Sequence, residues 1–377
     1  MSAWPGKYVI GLTGNIATGK SVVRKMLEHL GAYGIDADAL SHRAMAQGAP
    51  GYQPILDTFG RWVLASDGQI DRARLGRVVF SDPQALQQLE AIIHPLVRQA
   101  VDILIRRSKQ TVIIVEAIKL LESPLRQSCD SIIVTCAPQA VQMARLMQKR
   151  GMSEEIARQR IAAQPAQDAK IAAANYVINN EGSFEEAWQQ VNLAWQAILR
   201  THPETPAPAA VVTKGELALE RGRPRQAGEI ADIINRLSEN TLHLTSSDIM
   251  AGFGEKAYLL IKQDGRTVGI VGWQVENLVA RTDEIYLEPA IPLSKALKLV
   301  FNEIELTSRD LQCEVSLLFL PPSLARYNDT WRSLGYEHRI VENLGARAWQ
   351  EAARESIHAG NVLMFKQLRK DRVLRPV

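Results

Sequence analysis

Gly14-Asn15-Ile16-Ala17-Thr18-Gly19-Lys20-Ser21 lies between two segments of different periodicity, and this arrangement constrains the fold more than any other part of the chain. Ahead of it, Tyr8-Val9-Ile10-Gly11-Leu12 is a short apolar run of the kind that forms a buried parallel strand. Behind it, Val22, Val23, Met26, Leu27 and Leu30 recur at helical spacing, and Gly31 supplies a stop. Strand, loop and helix in that order bring the loop's N–H groups and the positive helix end to one point, where they cradle an anion. The spacing of Gly14, Gly19, Lys20 and Ser21 is that of a phosphate-binding loop. Lys20 is therefore expected at the β- and γ-phosphates of a nucleoside triphosphate, and the Ser21 hydroxyl at Mg²⁺.

A chain of 377 residues is too long for one ordinary core, so two domains are expected. Net charge is +3, from 44 basic against 41 acidic residues, which calls for neither nucleic acid nor an anionic membrane as partner. Apolar stretches such as Val112 to Val115 and Leu317 to Leu320 fall far short of the roughly 20 residues that span a bilayer. The N-terminus carries no targeting pattern. Cys129, Cys136 and Cys313 have no metal-ligand spacing and an odd count, and they read as thiols of a reducing cytoplasm.

Beyond the loop helix, Ile35 leads into Asp36-Ala37-Asp38, read as a strand ending in two carboxylates. Ligands in α/β sheets bind beyond the carboxyl ends of strands, which places both beside the triphosphate. Alternation along an extended segment points them the same way, so either can act as base; the rival reading is an N-cap for a helix over residues 39–47. Residues 50–110 read as helical, with His94-Pro95 a candidate helix break. Residues 111–116 form a third strand closing in Glu116, residues 131–135 a fourth and residues 176–178 a fifth, ahead of Asn179-Asn180. Arg145, Lys149, Arg150, Arg158 and Arg160 form a helical cationic cluster that can fold over a nucleotide, although Glu154 can simply pair with Arg158.

Residues 7 to about 200 resemble the dephospho-coenzyme A kinase family. The resemblance rests on Gly11-Leu12-Thr13-Gly14 before the loop lysine, Ile35-Asp36-Ala37-Asp38, Ala49-Pro50-Gly51, Phe59-Gly60, Asp67-Gly68, His94-Pro95, Arg145-Leu146, Ala162-Ala163-Gln164 and Val177-Ile178-Asn179-Asn180. It implies a kinase-like parallel sheet with a helical lid, and transfer from ATP·Mg²⁺ to the ribose 3′-hydroxyl of dephospho-CoA. Asp38 would be the base and, with Ser21, a metal ligand; Lys20 and Arg145 would assist transfer. ATP would meet Gly14, Asn15, Ala17, Thr18, Gly19, Lys20, Ser21, Val22, Arg150 and Asn179, and the acceptor Asp36, His94 and Glu116. Two departures stand out: Asn15 and Ala17 occupy positions where glycine is common, and residues 116–122 replace the more usual Asp-x-Pro-Leu-Leu-x-Glu, with Glu116 for Asp and Ile118 for Pro.

Residues 201–213, rich in Pro and Ala, read as a semi-rigid linker between a kinase domain over 1–200 and a second domain over 214–377. Helix 227–237, a hairpin turning at Asp264-Gly265, a strand near Ile285, helix 293–304, strand 314–320 and a helix over 324–334 stopped by Gly335 follow. That order, with Leu334-Gly335-Tyr336-Glu337, resembles the α+β N-acetyltransferase superfamily. In that family a glycine-bearing loop at the start of the central helix binds the pyrophosphate of acetyl-CoA; here residues 290–296 have no glycine, and Pro292 removes a donor. The expectation is the fold without ordinary acetyl transfer. The alternatives are a bifunctional kinase and N-acetyltransferase, and a regulatory nucleotide-binding protein.

Overall fold

The computed structural model describes residues 3–201, 216–238, 241–369 and 374, apart from the side chains of residues 149, 150 and 201. The expected linker lies almost wholly outside these residues.

The first unit runs β1 (Tyr8–Gly14), α1 (Lys20–His29), β2 (Tyr33–Asp36), α2 (Ala37–Ala44), α3 (Tyr52–Phe59), α4 (Arg72–Val79), α5 (Pro83–Arg107), β3 (Val112–Glu116), β4 (Ser131–Cys136), α6 (Gln139–Arg150), α7 (Glu154–Ala162), α8 (Gln167–Ala172), β5 (Tyr176–Asn179) and α9 (Phe184–Thr201). Its five strands are all parallel in the order β2-β3-β1-β4-β5. Because β1 is central, the loop that leaves it opens at the middle of the sheet's carboxyl edge, the place where such sheets bind ligands. Ile10, Leu12, Ile114 and Ile133 pack on one face against Val23, Met26 and Leu27 of α1 and Val191 and Ile198 of α9. The other face carries Val9, Ile35, Ile113 and Val134 against α2 and α5. Strands buried on both sides explain why the sequence shows continuous apolar runs here and no alternation.

Two local expectations change. The second helix starts at Ala37, so Asp36 and Asp38 do not alternate along a strand: Asp36 is the N-cap, accepting from Ala39 N at 2.8 Å, and Asp38 stands in the first turn. A capped short helix satisfies orphan N–H groups that an extended continuation would leave bare. Nor does Pro95 break its helix; α5 runs 25 residues straight through it. A proline inside a helix costs about 3 kcal/mol, and burial of the stripe Ile93, Val97, Ala100, Val101, Leu104 and Ile105 outweighs that.

The second unit runs β6 (Leu217–Arg221), α10 (Ala227–Leu237), α11 (Ser246–Gly252), β7 (Ala257–Gln263), β8 (Arg266–Glu276), β9 (Val279–Leu287), α12 (Leu293–Asp310), β10 (Val315–Leu320), α13 (Pro322–Ala325), α14 (Asn328–Ser333), β11 (Glu337–His338), α15 (Arg347–Ser356) and β12 (Val362–Gln367). One seven-stranded sheet has the order β11-β12-β10-β9-β8-β7-β6, antiparallel except for the parallel pair β9 and β10. The hairpin turns on Asp264 at φ 50° and Gly265 at φ 81°, the two left-handed residues that a tight hairpin turn requires. The helix expected over 324–334 is two short ones, α13 and α14, with Tyr327 between them outside helical geometry at ψ 53°. Trp331 from α14 packs edge-on against Phe301 of α12 and is fully buried.

Candidate functional site

Lys20 is the first residue of α1, and its Nζ lies over its own loop, 3.1 Å from Gly14 O and 3.2 Å from Asn15 O. The loop's tightness explains its two glycines. A Cβ on Gly14 would stand 2.4 Å from Thr135 O, and one on Gly19 would stand 1.8 Å from Asn180 Nδ2. Ala17 adopts φ 59° without being glycine, a conformation that costs an L-residue roughly 1–2 kcal/mol. Thr18 is fully buried, its Oγ1 bonded to Asn15 O and sharing a bond with Thr135 Oγ1, both at 2.8 Å. Val22 is partly buried in the first turn of α1, next to Gly254 of the second unit, whose Cβ, if present, would lie 3.3 Å from Val22 Cγ1.

The lid lies on the loop. Ile16, Leu146 and Ala157 form a small apolar cluster, Gln164 Oε1 accepts from Ile16 N at 2.7 Å, and Asn15 Nδ2 donates to Pro165 O at 2.9 Å. Arg145 donates from Nη1 to Ala17 O at 3.2 Å and from Nη2 to Asn180 O at 2.8 Å, so it ties loop, lid helix α6 and the end of β5 together. Arg158 pairs with Glu154 at the surface, the bland alternative its spacing allowed. The Arg150 side chain lies outside the described residues.

The carboxylates gather at the ends of β2 and β3. Glu116 is buried; its Oε1 accepts from Ser21 Oγ at 3.1 Å and its Oε2 from Arg24 Nε at 2.7 Å. Asp38 Oδ2 accepts from Ile118 N at 3.0 Å, and Ile118 O in turn accepts from Lys170 Nζ at 2.9 Å and Thr13 Oγ1 at 3.1 Å. Burial, then the charge of Glu116, pushes the Asp36 carboxyl up to about 6, against the pull of Arg24 and the Ala39 N–H. Burial likewise raises Asp38 above the usual carboxylate value, opposed by the Ile118 N–H and by Lys20 and Lys170. Lys170 is lowered by burial, with Glu122 and Asp38 opposing. The arrangement places a fixed carboxylate beside the loop lysine, which suits proton acceptance during phosphoryl transfer.

Two expected residues stand apart from this cluster. His94 is half-buried on α5, one residue ahead of Pro95. Asn179 turns its side chain to Cys136 and its N–H to Gln190, whereas the buried Asn180 donates to Thr18 O at 3.0 Å. Arg24, Lys170, Gln164 and Asn180 join the site without having been singled out for it. Arg24 had a signal in its i,i+4 spacing to Glu28, with which it pairs at 3.0 Å. Lys170 had none, since a lysine in a short helix reads as a solvated face.

No group of three or more His, Cys, Asp and Glu residues that could hold a metal occurs among the described residues. A kinase Mg²⁺ does not need one, because it keeps its waters and takes one or two protein oxygens plus phosphate. Ser21 Oγ, bonded to Glu116 Oε1, and the Asp38 carboxylate, which feels the charge of Glu116, are hard oxygen donors that fit such an ion.

The family described as dephospho-CoA kinase matches residues 8–186. The dephospho-CoA kinase of Symbiobacterium thermophilum is 38% identical over 217 residues, which is 57% of this chain and 91% of that protein. That of Aquifex aeolicus is 40% identical over 192 residues, 51% of this chain and 97% of that protein. Among solved structures, TT1252 from Thermus thermophilus is 31% identical with a TM-score of 0.47, covering 52% of this chain and 99% of its own. An acetyltransferase of the GNAT family from Staphylococcus aureus is 10% identical with a TM-score of 0.33, covering 41% of this chain and 100% of its own.

Proposed function

The chain belongs to the dephospho-CoA kinase family, and we propose that its first unit uses ATP to phosphorylate the ribose 3′-hydroxyl of dephospho-CoA, giving CoA and ADP in the last step of coenzyme A biosynthesis. The observation that carries the reading is the Asp38 carboxylate held by the Ile118 N–H next to Lys20 at the mouth of a phosphate-binding loop.

In this reading the loop N–H groups from residues 14 to 21 and Lys20 bind the β- and γ-phosphates. Ser21 and Asp38 are the proposed protein ligands of Mg²⁺, with Glu116 Oε1 bonded to Ser21; the ion would supply positive charge to offset the negative charge of the triphosphate. Arg145 keeps the loop closed under α6 and offers its cation to the transferring group. Asp38 accepts the 3′-hydroxyl proton as the oxygen attacks phosphorus. Asp36 and the buried Glu116, at the ends of β2 and β3, are the proposed acceptor side, with His94 of α5 a proposed contact for a more distant part of the acceptor.

The second unit is assigned no acyl transfer. Pro292 is the N-cap of α12 and offers no N–H where a pyrophosphate would need one. No described helix is long and apolar enough to cross a membrane, and all three cysteines are free, which suits a cytoplasmic enzyme. Incubating the full chain with ATP, Mg²⁺ and dephospho-CoA and identifying the product by mass spectrometry tests the assignment. CoA phosphorylated at the 3′ position is expected; an unchanged acceptor or phosphate at another hydroxyl overturns it.

A further inference from the structure

The two units meet on the helices that carry the proposed catalytic groups. On α1, which begins at Lys20, Lys25 Nζ donates to Val275 O at 2.5 Å. At the end of the same helix His29 Nε2 bonds to Phe253 O at 2.7 Å, the two rings edge-on with centroids 5.4 Å apart. On α2, which carries Asp38 in its first turn, Arg43 in the last turn reaches wholly into the second unit. Its Nη1 donates to Asn277 O, and its Nη2 pairs with Glu314 Oε1. Glu314 is 1% exposed, and its other oxygen accepts from Trp349 Nε1 on α15 at 3.1 Å. Leu278 and Leu311 of the second unit extend the first unit's core beside this pair.

A buried ion pair of this kind adds little net stability, because desolvation cancels most of the attraction, but removing either partner leaves an uncompensated buried charge, so the two elements it joins are held together. A surface guanidinium on α2 would have been satisfied by water at no such cost. The pair is therefore best explained by what it holds. We infer that Arg43 and Glu314 are positioning residues for the phosphoryl transfer: the second unit clamps α2, and with it the Asp38 carboxylate, against Ile118. The inference rests on the kinase reading of Asp38. It gives the appended unit a role in the reaction although none of its residues need touch ATP or the acceptor.

The test uses the full chain as wild type, Arg43→Met, Arg43→Lys, Glu314→Gln and the Arg43→Met, Glu314→Gln double variant, measuring dephospho-CoA-dependent ADP release, the KM for ATP and the thermal transition. Methionine keeps the stem of Arg43 and removes its charge. Arg43→Met is expected to lower kcat about tenfold with the KM for ATP changed less than about twofold, because a misplaced base slows chemistry without emptying the loop. Arg43→Lys, which keeps a cation over Glu314, is expected to recover most of the loss. Arg43→Met and Glu314→Gln combined should be no slower than the slower single variant, as for one linked pair. If Glu314→Gln does not fold, for Trp349 also depends on it, the two Arg43 variants decide alone. A kcat for Arg43→Met within twofold of wild type, or an Arg43→Lys variant as slow as the methionine one, overturns the inference. A wild type with no dephospho-CoA-dependent activity overturns instead the kinase reading beneath it.

Discussion

Asp38 Oδ2 accepts the Ile118 N–H at 3.0 Å, and Ile118 stands where the family pattern read in the sequence has proline. Proline has no N–H to give. The departure that makes residues 116–122 look unusual thus supplies the bond that orients the proposed base. Asp38→Asn keeps that bond's shape and removes the proton acceptor. It is expected to lower kcat by roughly 10²–10⁴-fold while ATP binding, read by titration calorimetry, stays within a few-fold. Equal losses in both would make Asp38 a nucleotide-site residue and not a base.

The same bond sets a pH dependence. A base must be ionised, so turnover falls as pH drops through the folded pKa of Asp38, which burial and the charge of Glu116 raise and the Ile118 N–H, Lys20 and Lys170 lower. Ile118→Pro removes the hydrogen bond that favours the charged form. The acid limb of kcat should then move to higher pH relative to wild type. An acid limb that stays in place or moves lower would detach Ile118 from the proton transfer.

Asp36 carries a stability cost of its own. Its pKa is raised from 3.8 to about 6, so the folded state binds its proton more tightly than the unfolded state does. The stability linked to that proton is fully present below about pH 4 and is lost as pH rises through about 6. Asp36→Asn, which still caps α2, should therefore raise unfolding free energy at pH 8 by on the order of 2 kcal/mol, with the gain vanishing near pH 4. Urea denaturation at the two pH values reads this; a loss at pH 8 would show that the charge of Arg24 outweighs burial.

Ala17 sits at φ 59° where a glycine would be unstrained. Ala17→Gly is expected to raise unfolding free energy by about 0.5–1 kcal/mol, since the left-handed strain exceeds glycine's added chain entropy. A lower urea midpoint in the glycine variant would show that the lid contacts of Ala17, beside Ile16, Leu146 and Ala157, supply more than the strain removes.

His29 makes the contact between the units sensitive to acid. Its Nε2 must carry a proton to bond Phe253 O, and burial, then Arg221 and Lys25, holds the ring neutral with a pKa lowered to about 4, with Glu28 opposing. A folded pKa below the unfolded 6.5 gives stability that is complete above pH 6.5 and drains as pH falls toward 4. His29→Gln keeps a donor and cannot titrate. Between pH 7 and 4.5 the wild type should lose on the order of 2 kcal/mol more than the variant in chemical unfolding. Parallel losses would remove His29 as the acid-sensitive group.

The sheet of the first unit was legible because β1, β3 and β4 are buried on both faces and so read as unbroken apolar runs, and because Gly14, Gly19 and Lys20 are spaced by the anion they serve. What stayed hidden was set by contacts distant in sequence. Lys170 enters the site through the carbonyl of Ile118, 52 positions earlier, and nothing local distinguishes it from a solvated lysine. Asn179 and Asn180 are chemically identical neighbours, and only the pairing of β5 with β4 decides that the second of them faces the loop. In the second unit the helices with clear stripes, α10 and α12, were readable, whereas β6, α11, α15 and β12 were not singled out. The burial of Trp349 on α15 and of Leu363 on β12 depends on the whole sheet being assembled.

The most direct test of the account is ADP release from ATP·Mg²⁺ by the full chain, with dephospho-CoA, without it, and with an analogue lacking the ribose 3′-hydroxyl. The account predicts ADP released in step with CoA formed when dephospho-CoA is present, and only background release in the other two cases. Equal release in all three would contradict it, because a nucleotide hydrolase does not need the acceptor hydroxyl that the proposed base, Asp38, would deprotonate.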